Sequence, residues 1–77
     1  MPQLDEVFRS ALELPPDVDV KTLTYGDHAH WDSVGHMVLV TELEDVYGLM
    51  LDTDDVLNLS SFDAATALLE KHGVVVG

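Results

Sequence analysis

The chain has 77 residues, no cysteine, and fifteen acidic side chains against three basic ones (Arg9, Lys21 and Lys71), for a formal net charge of −12. That length holds one domain with one core and leaves no room for a deep substrate cleft, which argues against a free-standing enzyme. It has no disulfide or thiolate metal staple, and its charge repels nucleic acid and anionic membrane surfaces while attracting proteins with basic patches.

An apolar content of 47% suits a globular chain rather than a disordered one. No apolar run reaches the length of a membrane span. The start, Met1-Pro2-Gln3-Leu4-Asp5-Glu6, lacks the basic and apolar regions of a signal peptide. The expectation is a monomeric cytoplasmic protein forming a single domain over residues 1–77, free-standing rather than cut from a larger synthase. Acidity alone is also explained by solubility.

In chain order, the first helix is expected over about 3–13. Leu4, Val7, Phe8, Ala11 and Leu12 form one apolar stripe at helical spacing. Pro2 suits its start, and Pro15-Pro16 ends it. Residues 14–32 read as a long loop, with a turn at Tyr25-Gly26-Asp27. Within it Val18, Val20, Leu23 and Tyr25 are spaced to pin the loop on the core. Loops of this length are uncommon in compact domains and are often functional.

The second helix is expected over 33–47, capped by Asp32 or Ser33 and closed by Gly48. A short third helix follows over about 54–57, led by Asp52-Thr53-Asp54-Asp55. The last helix spans about 61–72, with Ser60 and Asp63 resembling a capping box. Its stripe is Phe62, Ala65, Leu68 and Leu69. Lys71 and His72 suit the negative end of its dipole, and Gly73 its cap. Val74 to Val76 fray or add a few contacts. The fold class is all-α: a small four-helix bundle of three longer helices and one short third helix, with a long loop between the first two.

The second helix carries more apolar surface than one core requires. Leu39, Val40, Leu43, Val46 and Tyr47 share an inward face. Val34, Met37 and Val38 occupy another sector, which Thr41, Glu44 and Asp45 continue. One account is that the long loop folds over Val34 and Met37. The other is a docking face, an apolar anchor with a charged rim, for which methionine is an adaptable contact.

Asp32-Ser33-Val34 resembles the Asp-Ser-Leu-type signature of acyl and peptidyl carrier proteins. The resemblance covers essentially the whole chain. The serine opens a helix, Glu42-Leu43-Glu44-Asp45-Val46-Tyr47-Gly48 follows, then an Asp-rich short helix, then Ser60-Ser61-Phe62-Asp63-Ala64-Ala65. It implies a non-catalytic carrier in which a phosphopantetheinyl transferase moves a 4′-phosphopantetheine arm from coenzyme A to Ser33, with Asp32 in support. The arm would hold acyl groups as thioesters for loading, condensing or tailoring enzymes with basic docking patches, met by Val34, Met37, Val38, Thr41, Glu44 and Asp45. Trp31, together with Gly35 and His36 where fatty-acid-synthesis carriers usually have acids, resembles discrete carriers of polyketide or nonribosomal peptide pathways. The alternatives are a fatty-acid-synthesis carrier, or an acidic interaction module without an arm.

Other chemistry fits less well. His28, His30 and His36 sit near Asp27 and Asp32, but His28 and His30 lie in a loop and the spacing matches no strong metal-ligand motif, so solvated loop histidines are the better account. A calcium loop opening at Asp52 would have Leu57 at the position that needs glycine and Asp63 at the last. These acids read as helix caps and surface charge. Ser33 with His36 one turn on suggests a nucleophile and base, with no pocket to enclose them. No catalytic or metal-binding residue is assigned.

Overall fold

The computed structural model describes residues 3–74. Four α-helices, α1 (Leu4–Leu12), α2 (Ser33–Tyr47), α3 (Thr53–Asn58) and α4 (Phe62–Lys71), form the small all-α bundle. A 3₁₀ turn, Val20–Thr22, breaks the long loop between α1 and α2. The β pairing among the described residues is one isolated bridge between Thr24 and Ser61.

The apolar stripe of α1 is buried along its whole length, from Leu4 to Leu12. Gln3 occupies the N-cap position without a side-chain cap bond, and Pro2 lies outside the described residues. The helix ends one residue earlier than expected. Glu13 turns left-handed at φ 51°, and the next amide, Leu14 N–H, bonds back to the Arg9 carbonyl. Pro15-Pro16 follows this turn.

The long loop is anchored at three depths. Val20 and Leu23 are buried, and the 3₁₀ turn that begins at Val20 and ends just before Leu23 packs on α1 and α4. Asp19 caps that turn by accepting from the Lys21 amide. Tyr25 N–H bonds to the Ser60 carbonyl at 2.8 Å, which stitches the loop to the start of α4. Trp31, at the end of the loop, is fully buried. Its ring meets Phe8 edge-on at 5.5 Å, and Phe8 in turn lies 5.4 Å from Phe62. This aromatic row joins α1, the loop and α4 at the centre of the core.

α2 packs on α1 through Leu39, Val40 and Leu43, with Val46 and Tyr47 half-buried against the same core. It closes on Gly48, left-handed at φ 65°. α3 is one residue longer at each end than expected, capped by Asp52 through the Asp55 amide at 2.8 Å. α4 is capped by Ser61, which accepts from the Ala64 amide at 3.0 Å. Ser61, not Ser60, is therefore the cap, and the Ser60 carbonyl accepts from the Tyr25 amide. Beyond α4, Val74 is half-buried and its amide bonds to the Leu69 carbonyl at 2.9 Å. The expectation for Val75 and Val76 lies outside the described residues.

Asp55 is 2% exposed, and this buried acid was not foreseen. Its carboxylate takes Lys71 Nζ at 3.0 Å on one oxygen and His72 Nε2 at 3.0 Å on the other. Lys71 and His72, expected to serve the helix dipole, clamp α4 to α3. These bonds, His72 first and then Lys71, lower the Asp55 carboxyl to about 2. The same contact raises the Lys71 ammonium.

Candidate functional site

Ser33 is the first residue of α2 and is exposed. Asp32 is extended and caps the helix, with one carboxylate oxygen 2.8 Å from the Gly35 amide. This satisfies one of the free amides of the first turn and fixes where Ser33 leaves the helix. The Tyr25 hydroxyl lies 3.4 Å from Ser33 Oγ, long for an O–H···O bond. Tyr25 is held edge-on to His36 at 4.8 Å and to Trp31 at 6.3 Å.

The loop does not fold over the outer face of α2. Val34, Met37 and Val38 are 73%, 55% and 42% exposed. With Ser33, Thr41 and Glu42 they line an open groove of about 480 Å³ that starts at the serine and runs along the helix. The Thr41 hydroxyl donates back to the Met37 carbonyl at 2.9 Å. Asp45 is exposed further along. Glu44 is less free than its spacing suggested: one carboxylate oxygen accepts from the Leu51 amide at 3.0 Å and pins the segment after α2. Glu42, which the sequence reading had not assigned to this face, supplies the groove's acid. Its spacing, four residues beyond Val38, was the available signal.

Gly35 has a packing role that only the structure reveals. A Cβ there would collide with the His30 carbonyl oxygen and crowd Leu12. The loop and α2 approach this closely only because residue 35 lacks a side chain.

The histidines are not simply solvated. The His30 ring bonds the Glu13 carbonyl at 3.0 Å, and the His30 amide donates to His28 Nδ1 at 3.1 Å. His36 is half-buried, with one nitrogen 3.0 Å from the Trp31 indole nitrogen and the other 2.8 Å from the Val56 carbonyl oxygen. Both nitrogens are thus committed away from Ser33, so the pair is not a nucleophile with its base. Among the described residues no group of three or more His, Asp or Glu side chains is placed to hold a metal ion. No helix among them is long and apolar enough to cross a membrane.

Comparison of the chain with protein-family models, with curated proteins and with solved structures finds no match.

Proposed function

We propose that this protein is an acyl carrier whose Ser33 bears a 4′-phosphopantetheine arm. The observation that supports this reading most is the setting of Ser33: an exposed hydroxyl on the first residue of a 15-residue helix, capped by Asp32, at the head of an apolar groove. A transferase must reach the hydroxyl, and the exposure allows it. The amide end of a helix is a favourable neighbourhood for the anionic diester that results. In the loading step a bond would form between Ser33 Oγ and the phosphorus of coenzyme A that bears pantetheine, and the bond from that phosphorus to the bridging pyrophosphate oxygen would break. The adenine nucleotide leaves, and the serine proton passes to a base of the transferase.

When bound, the arm would supply a thiol able to hold an acyl group as a thioester. The carrier would perform no bond chemistry on its cargo and would supply placement. Docked to a partner, the tether raises the local concentration of cargo. The partners of this reading are the transferase and the loading, condensing or tailoring enzymes, each meeting the acidic surface with a basic patch, in the cytoplasm and with the carrier as a monomer. Val34, Met37 and Val38 would be the apolar anchors, with Thr41, Glu42 and Asp45 around them.

A polyketide or nonribosomal setting is proposed from Trp31, Gly35 and His36 by resemblance. All three also have packing or bonding duties here, so the pathway is better sought through the partner enzymes.

The test is the intact mass of the wild type and of Ser33→Ala after incubation with coenzyme A and a broad-range phosphopantetheinyl transferase. The wild type should gain one phosphopantetheine and the variant none. A folded wild type left unmodified by several transferases would favour an acidic interaction module without an arm.

A further inference from the structure

The His36 ring is bonded on both sides by groups of fixed character. The Trp31 indole nitrogen, 3.0 Å from Nδ1, can only donate. The Val56 carbonyl oxygen, 2.8 Å from Nε2, can only accept. One state satisfies both: a neutral imidazole with Nδ1 bare and the hydrogen on Nε2. In that state a single side chain ties together the end of the loop, α2 and α3.

We infer that His36 is a pH-sensitive latch between these three segments. A proton taken from solvent onto Nδ1 sets two N–H donors against each other. The tie to Trp31 then breaks, while the tie to Val56 survives. The freed indole N–H belongs to a fully buried residue, and an unpaired buried donor is costly, so the packing around it must adjust. The neighbours that feel this are Tyr25, edge-on to the His36 ring, and the small cavity of about 180 Å³ lined by Tyr25, His36, Val56, Leu57, Leu59 and Ser60. Because the Tyr25 hydroxyl sits beside Ser33 Oγ, the latch links acidity to the surroundings of the serine.

Each segment packed on the ring brings titratable groups. The loop brings Tyr25 against the ring, and Asp27, His28 and His30 farther along. The start of α2 brings Asp32, bonded to Gly35. α3 and its cap bring Asp52, bonded to the Asp55 amide, then Asp54, then Asp55, bonded to Lys71 and His72. The Leu59–Ser60 segment brings none. Among the described residues no charged side chain bonds the His36 ring, so its state is read by Trp31 and Val56.

The inference does not rest on the carrier reading and is tested on the unmodified chain. Trp31 is the sole tryptophan, so its indole N–H is a unique probe. Long-range proton–nitrogen spectra of ¹⁵N-labelled protein above pH 7.5 should show His36 with its hydrogen on Nε2. Between pH 7.5 and pH 5 the protection of the indole N–H against exchange should drop about fivefold to tenfold, the worth of one bond. His36→Gln, whose amide offers one acceptor and one donor, should lose the step. His28→Asn with His30→Asn should keep it. If the Gln variant does not fold, the wild-type tautomer still decides. A hydrogen on Nδ1, constant indole protection across that range, or a step that persists in His36→Gln overturns the latch.

Discussion

Among individual residues, Gly35 is where two local effects oppose each other most clearly. Alanine in a helix interior is ordinarily better than glycine by about 1 kcal/mol. At position 35 the added Cβ meets a backbone carbonyl, which cannot rotate away, and overpacking of this kind costs about 1–3 kcal/mol. The clash wins, so Gly35→Ala should lower the urea midpoint despite its helix propensity. Asp55 gives a second residue-level prediction, with a defined sign. Its carboxyl is held at about 2, below its ordinary 3.8. Below pH 4 the unfolded chain binds the proton first, so the stability contributed by this acid is complete above about pH 4 and is lost as pH falls towards 2. The stability gap between wild type and Asp55→Asn in denaturant titrations should therefore close across that window. Neither residue's role was legible in the sequence. Gly35 stood inside a helical pattern with nothing to mark a close approach. Asp55 stood in a run of acids that looked like surface charge, and its partners Lys71 and His72 are on another helix.

At the level of elements, the helices themselves were legible because their stripes repeat at helical spacing and their caps are local. Asp32, Gly48 and Asp52 act within a few residues of their own position. The misses came where an element's end is set by a distant strand of chain. Ser60 looked like a cap, but Ser61 takes that role through its hydroxyl, while the Ser60 carbonyl accepts from the distant Tyr25 amide. Trp31 drew notice only through resemblance, yet it anchors the loop in the core, and Trp31→Ala should cost about 3–5 kcal/mol. The outer face of α2 divides by function in the same way. Glu44 holds the Leu51 amide, whereas among the described residues Glu42 and Asp45 are not bonded to other segments in this manner. Reversing Glu42 and Asp45 to lysine should slow loading by a basic transferase severalfold while leaving the thermal midpoint nearly unchanged. Reversing Glu44 should lower the midpoint as well. Equal loading rates for wild type and the Glu42/Asp45 variant would remove this face from the docking surface.

Taken as a whole molecule, the chain has its net charge of −12 spread over a small bundle, 30 × 25 × 18 Å along its principal axes. Like charges this close repel across distances comparable to the screening length, about 10 Å in 0.1 M salt. Salt should therefore act with opposite signs on two measurements. Folding stability, read from denaturant midpoints, should rise as salt screens self-repulsion. The rate of encounter with a basic partner should fall over the same range. A partner recognised through apolar contact alone would leave the second curve flat. The fold class and the exposed serine could be read from composition, periodicity and a short motif. The bonds that set the serine's surroundings join residues far apart in the chain, such as Tyr25 with Ser33 and His36 with Val56, and no local pattern encodes them.

The central claim is that one covalent arm is attached to Ser33. The most direct measurement is fragmentation mass spectrometry of the intact wild-type chain after loading from coenzyme A. The account predicts a single phosphopantetheine on the fragment that contains Ser33, and on no fragment confined to Ser10, Ser60 or Ser61. A folded chain that gains no mass, or gains it at another serine, would contradict the account.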